Sequence, residues 1–304
     1  MKLELKAYGK INLGLDVVRK REDGYHEVRM IMQTVALYDK LEMERIKEPV
    51  IQVETNLPYV PNGEGNLAYR AAKLLRDEFG IADGVSIRIR KRIPVAAGMA
   101  GGSTDAAAVL VGMNRLFSLG LTKRGLMERG VKLGADVPYC VMRGTALSEG
   151  IGEVLTRLPA APACHVVLAK PQVSVSTKEV YGNLRLGELT ADDHPDIDGM
   201  VRAIKAGDRA GMIERLGNVL ETVTVPAHPE IGRIKKILLD CGADGVLMSG
   251  SGPTVFGLFT DHEAAKRAFS ALKEAEGGNL TRQVYLSGFF QSREAGRREK
   301  RDDK

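Results

Sequence analysis

Residues 94–108, PVAAGMAGGSTDAAA, place Gly98, Gly101 and Gly102 just ahead of an alanine-rich, helix-forming run. Glycine lets backbone N–H groups converge on one point, and a helix N-terminus adds unpaired donors with partial positive charge. That combination suits an anion, above all a phosphate chain. Ser103 and Thr104 can cap the helix or supply hydroxyl donors, and Asp105 in the first turn suits the helix dipole. The stretch lacks the Gly-Lys-Ser/Thr ending of a P-loop and does not follow the first strand as a dinucleotide-binding fingerprint would. Alone it fits two readings, a phosphate cradle or a tight turn leading into a capped helix. A second small-residue loop, SGSGPTVFGLF (249–259), runs into a strand pattern, and AYGKINLGLDV (7–17) puts Lys10 and Asn12 inside another. Asp136 in LGADVPYC (133–140) reads by itself as a turn or helix-cap residue before Val137-Pro138, and Lys10 by itself as a solvated edge-strand charge.

The elements that must position these residues follow from periodicity. Leu3, Leu5, Ala7, Ile11, Leu13, Leu15 and Val17 alternate as in a strand with one buried face, with Gly9 as a possible bulge position. NLAYRAAKLLRDEF (66–79) has helical spacing, with Asn66 as its N-cap and Gly80 at its end. VSIRIRKRI alternates as a strand up to Pro94, so the glycine loop lies between a strand and a helix. That helix carries the stripe Ala106, Val109, Leu110, Met113 and Phe117 and stops by Gly120. PAAP (159–162) breaks the periodicity and marks a boundary between domains of residues 1–160 and 161–291, followed by a charged, disordered tail over 292–304. Beyond the boundary come a strand at CHVVLAK, a polar helical middle, a helix over 231–239, strands GVLM and TVFGLF, a helix over 262–274 and the strand RQVYLSGFF. Strand, helix, two strands, helix and strand is the order of a ferredoxin-like α+β domain.

The chain has 304 residues, 44% hydrophobic and 27% charged, enough for two packed domains. No apolar run is long enough to cross a bilayer, and the N-terminus lacks the apolar centre of a signal peptide, so a cytoplasmic protein without a membrane partner is expected. Cys140, Cys164 and Cys241 are too scattered for a zinc site and are read as buried thiols. Of the formal charge of +5, residues 293–304 supply +2, from six basic and four acidic side chains. With 5% aromatic residues and no basic-aromatic cluster, nucleic acid is not an expected partner. A serine acyl-transfer role for Ser103 lacks the G-x-S-x-G elbow.

In this order along the chain, the three glycine- and lysine-bearing stretches resemble the three motifs of the GHMP kinases. AYGKINLGLDVVRKREDGYHEV, PVAAGMAGGSTDAAA, LGADVPYC and SGSGPTVFGLF, from residue 7 to residue 259, are most similar to the branch acting on 4-diphosphocytidyl-2-C-methyl-D-erythritol in non-mevalonate isoprenoid synthesis. The Arg-x-Asp-Gly-Tyr-His run over 21–26 discriminates that branch. The resemblance implies a two-domain α+β protein, with an N-terminal ribosomal S5 domain 2-like half and a C-terminal ferredoxin-like half. It implies ATP-dependent phosphorylation of the substrate's 2-hydroxyl with Mg²⁺. Asp136 is the implied catalytic base and a substrate contact, with Lys10 as its electrostatic partner. Pro94, Gly98, Ala100, Gly101, Gly102, Ser103 and Thr104 are the implied ATP phosphate loop, Asn66 a residue near the adenine, and Ser103 a magnesium contact. Asn12, Tyr25, His26 and Tyr181 are implied substrate contacts, the last three around the cytosine of a small molecule carrying cytidine diphosphate. Gly250, Ser251 and Gly252 are implied to let the chain pass close to the ligands. A homoserine or sugar kinase of the same superfamily would not need Tyr25 and His26.

Overall fold

The computed structural model describes residues 2–290. The charged segment over 292–304 lies outside the described residues. Contact clustering divides the chain into two compact units, one of residues 1–9, 37–95 and 100–143, the other of residues 10–36, 96–99 and 144 onward. Two long strands, β1 (Lys2–Lys20) and β2 (His26–Ile46), contribute to both, and β1 runs unbroken through Gly9.

In the first unit the strand order is β3-β4-β2-β1, with β3 (Ile51–Thr55) parallel and β2 antiparallel to β4 (Gly84–Arg90). β4 stops short of the Pro94 expected from its alternation, because the backbone N–H groups of Arg92 and Ile93 bond instead to Asp39 Oδ1, at 2.5 and 2.8 Å. The helices are α1 (Leu67–Glu78), α2 (Gly101–Leu116), α3 (Lys123–Val131) and α4 (Asp136–Met142). Asn66 caps α1, its Oδ1 accepting from the Ala68 N–H at 2.9 Å while its Nδ2 donates to the Pro61 carbonyl at 2.8 Å. α2 buries Val109, Leu110, Met113 and Leu116, each worth about 1.5–3 kcal/mol when fully removed from water. Phe117 is the helix C-cap and is half-buried rather than part of the stripe, because the chain leaves the helix there and the Arg45 guanidinium lies 5.6 Å from its ring centre. Gly112 lets α2 lie close on the sheet, since a Cβ there would come 2.2 Å from Met43 Sδ.

The second unit contains the strand order β6-β5-β2-β1-β8, with β5 (Thr145–Glu149), β6 (Val154–Arg157) and β8 (Gly217–Asn218). PAAP falls between β6 and β7 (His165–Pro171). After β7 come α5 (Thr177–Asn183), α6 (Ile197–Ala206), α7 (Arg209–Glu214), α8 (Glu221–Ala227), α9 (Pro229–Asp240), β9 (Gly245–Met248), β10 (Val255–Phe259), α10 (His262–Glu274) and β11 (Thr281–Gly288). The antiparallel order β11-β7-β10-β9, with α9 and α10 in the connections, is the ferredoxin-like arrangement. Its interior includes Val166, Val167, Leu168, Phe256, Leu258 and Phe259, all fully buried. Cys140 and Cys164 are buried as expected, and burial pushes the Cys164 thiol up to about 11. Cys241 is only half-buried, because it caps the end of α9. Among the described residues no helix is long and apolar enough to cross a membrane.

Candidate active site

The first turn of α2 is built differently from the other long helices. Among the described helices of ten or more residues, α1, α6 and α10 begin with a side-chain cap, from Asn66, Asp196 and Asp261, and α9 begins with a proline. α2, the longest at 16 residues, has neither. Its N-cap is Ala100 in the left-handed region, φ 56°, and no side chain bonds to its first N–H groups. Ser103 and Thr104 therefore do not cap it. They lie inside the first turn, and Thr104 Oγ1 donates to the Tyr8 carbonyl at 2.7 Å, tying the turn to β1. Only the Thr104 N–H closes back on Ala100, at 2.9 Å, so the donors before it stay open, as an anion site requires.

Asp105 is not a surface carboxylate serving the dipole. It is buried, and its Oδ2 accepts from Lys91 Nζ at 2.6 Å. Burial, reinforced by the charge of Asp39 and opposed by that of Lys91, pushes its carboxyl up to about 8. An unfolded Asp ionises near pH 4, so between about pH 4 and 8 the folded chain holds a proton that the unfolded chain has lost, and stability falls as pH rises through that window. Asp105→Asn is expected to flatten the fall, with a gain in melting temperature that is larger at pH 8 than at pH 5 in paired thermal melts.

In the other unit, Lys10 is 5% exposed, not solvated. Its ammonium donates to Asn12 Oδ1 at 2.8 Å and to the Gly98 carbonyl at 3.0 Å, which leaves one of three N–H bonds uncommitted. The Gly98 carbonyl also accepts from Ser249 Oγ at 2.9 Å, and the Lys10 N–H bonds to the Met99 carbonyl at 3.2 Å. Gly98 has φ 71°, and a Cβ there would sit 2.0 Å from the Ser249 carbonyl oxygen, so only glycine fits. Asn218 Nδ2 braces the loop after β9 by donating to the Met248 and Gly250 carbonyls, each at 2.8 Å. Ser251 Oγ meets Thr177 Oγ1 at 2.8 Å. Lys10, Asn12, Gly98, Ser249 and Gly250 thus form one hydrogen-bonded and packed group, in which Asn12 is fully buried and lies 3.5 Å from where a Gly250 Cβ would be.

The His26 and Tyr181 rings face each other at 5.2 Å between centroids, tilted by 41°. Burial, and then the charge of Lys20, lowers the His26 pKa, which keeps the imidazole neutral, one ring nitrogen a donor and the other an acceptor. Tyr25 is 61% exposed beside them, free to meet a flat ligand. In the first unit, Asp136 is the first residue of α4 and half-buried, and Pro94 is buried just ahead of the glycine loop. The Asn66 amide has one acceptor position beyond its cap bonds.

The GHMP kinases N terminal domain matches residues 66–144 and the GHMP kinases C terminal domain residues 200–277. A 4-diphosphocytidyl-2-C-methyl-D-erythritol kinase from Lachnoclostridium phytofermentans is 57% identical over 291 residues, 96% of this chain and 98% of its own length. The chain belongs to this family of GHMP kinases. A kinase of the same description from Bacillus cereus (strain AH187) is 51% identical over 97% of this chain and 99% of its own. A crystal structure of 4-(cytidine 5'-diphospho)-2C-methyl-D-erythritol kinase superposes with a TM-score of 0.79 at 33% identity, over 95% of this chain and 100% of that one. Homoserine kinase from Cytophaga hutchinsonii, at 21% identity and a TM-score of 0.73, shares the fold.

The GHMP kinase fold accounts for both halves, the S5-like first and the ferredoxin-like second. Ser249, Asn218, Lys91 and Asp39 support the loops without having been singled out in the sequence. Asp39, in the run LYDKL, sits at a fully buried position of an otherwise apolar alternation, the one signal that could have found it.

Proposed function

We propose that this chain transfers the γ-phosphoryl group of ATP to the 2-hydroxyl of 4-diphosphocytidyl-2-C-methyl-D-erythritol, giving the 2-phosphate and ADP in the cytoplasm. The observation that carries the reading is the uncapped first turn of α2, a set of backbone donors left open on a helix long enough to carry a dipole. The names of the relatives supply the acceptor. For function the chain divides near 159–162, into residues 1–160 with the phosphate loop and Asp136, and residues 161–291.

ATP phosphates rest on the N–H groups from Gly98 to Ser103, with Ala100 in the left-handed conformation that turns the chain into the helix and Pro94 fixing the approach. Thr104 supports from beneath, and Asn66 lies beside the adenine. Asp136 accepts the proton of the attacking hydroxyl, and the remaining Lys10 donor meets the charge that develops on the transferred group. Asn12 holds Lys10 and reaches the acceptor. Tyr25 stacks on the cytosine, His26 bonds its edge as a neutral ring, and Tyr181 closes the other side.

Among the described residues no group of three or more His, Cys, Asp or Glu could hold a metal by itself. That fits magnesium, which takes few protein ligands and is completed by phosphates and water. The Ser103 hydroxyl, half-buried in the open turn, would hold it, and the ion would neutralise phosphate charge.

Product analysis by phosphorus NMR tests the reading directly. A phosphomonoester resonance must grow with ADP in the presence of the full substrate, and ADP without a new ester would contradict it. Tyr25→Ala is expected to raise the KM for the cytidine substrate by an amount equal to about 1–3 kcal/mol, the span for a base stacked on an aromatic ring. An unchanged KM would remove Tyr25 from the site. At Gly102 a methyl group would meet only Leu67 Cδ1, at an ordinary 3.5 Å. Gly102→Ala should therefore fold as well as the natural chain, yet raise the KM for ATP about tenfold, or about 1.4 kcal/mol, by crowding the cradle. A steady-state ATP titration checks it.

A further inference from the structure

Beneath the open turn of α2 lies a buried charge cluster that the chemistry above leaves unused. Lys91 Nζ donates to Asp39 Oδ2 at 2.5 Å, to Asp105 Oδ2 at 2.6 Å and to the Gly101 carbonyl at 3.3 Å. The three side chains are no more than 5% exposed. Asp39 is anchored in turn by the N–H groups of Arg92 and Ile93, and Asn56 brackets the Lys91 backbone, accepting from its N–H at 2.7 Å and donating to its carbonyl at 3.3 Å.

Stability does not explain this arrangement. A buried ion cluster loses most of its Coulombic gain to desolvation, and apolar side chains of similar volume usually hold a fold as well. Asp105 Oδ1 is buried without a hydrogen-bond partner, so the chain tolerates an unsatisfied oxygen to keep the other one on Lys91. What the cluster does achieve is geometric. One ammonium grips the first residue of α2 by its carbonyl and the fifth by its side chain, spanning the turn whose first N–H groups stay open. Gly101 packs closely on the cluster, since a Cβ there would stand 3.4 Å from Lys91 Nζ and a tight 3.3 Å from Ile93 Cγ2.

We infer that Lys91, fixed by Asp39 and bonded to Asp105, is a positioning residue that sets the first turn of α2 for the phosphates of ATP. The inference rests on the reading of that turn as the phosphate cradle.

Two substitutions at Asp105 separate positioning from packing, because either leaves Lys91 paired one-to-one with Asp39. Asp105→Asn keeps an oxygen for Lys91, whereas Asp105→Leu fills the space without one. With both variants folded by circular dichroism and thermal melting, the KM for ATP should stay within about twofold for Asn and rise at least about tenfold for Leu. The KM for the cytidine substrate should stay within about twofold in both. A Leu variant with an ATP KM close to the natural one overturns the inference. Should the Leu variant not fold, the neutral triple variant Asp39→Asn, Lys91→Met, Asp105→Asn, which keeps the acceptor for Arg92 and Ile93, carries the same expectation and the same refutation. If the natural chain turns over no ATP at all, the cradle reading fails and takes the inference with it. ATP turnover in the natural chain with an unchanged KM in the Leu or triple variant defeats the inference alone.

Discussion

Asp136→Asn is expected to lower turnover by about 10²–10⁴-fold, the usual span for a lost general base, while the KM for ATP moves little. Asn has the same shape and keeps an acceptor oxygen, so it preserves the start of α4. Removing a carboxylate from the first turn of a helix costs only about 0.3–1 kcal/mol of dipole stabilisation, too little to unfold the chain. The drop therefore reads chemistry rather than folding. Rates on the full substrate, with a melting curve for each protein, check it, and turnover near that of the natural chain would remove Asp136 as the base.

Lys10→Met is the second large effect. Methionine matches the length and apolar stem of lysine, but it deprives Asn12 Oδ1 of its donor and the Gly98 carbonyl of one of its two. Turnover and stability respond for different physical reasons. Turnover should fall by about 10²–10³-fold, because a preorganised donor aimed at developing charge is lost. Stability should fall by about 1–3 kcal/mol, because a buried acceptor is left without its partner. Measured together, the two figures must differ in kind, with a turnover loss that persists at temperatures where the variant is fully folded. Loss of stability with normal turnover would make Lys10 a structural residue.

These residues show how far the sequence reaches. The helices α1, α2, α9 and α10 and the ferredoxin-like strand order are legible because their apolar spacing is long and regular. β8 is not, since two residues carry no period, and its pairing of Gly14 with Gly217 depends on a contact about 200 positions away in the chain. The glycine loop is legible as a loop before a helix, but of the two roles the sequence leaves open to Ser103 and Thr104, capping is not the one they take. Left-handed Ala100 starts the helix early, so that both hydroxyls fall inside it. Lysine is rarely buried unpaired, so Lys10 reads as solvated in sequence and nothing there marks Lys91 as interior. Their partners, the Gly98 carbonyl for one and Asp39 and Asp105 for the other, lie 88, 52 and 14 residues away, and only the fold brings them together. The functional motifs were readable for the opposite reason, since they are short, contiguous runs of the backbone-exposing and charged residues that phosphate chemistry requires.

ADP release from Mg-ATP with 4-diphosphocytidyl-2-C-methyl-D-erythritol, measured beside the same polyol lacking its cytidylyl group, tests the reaction and the cytidine site together. Stoichiometric ADP release is expected with the full substrate and none above background with the truncated one. Equal release with both would contradict the cytidine site, and no release with either, from folded protein that binds ATP, would contradict the assigned reaction.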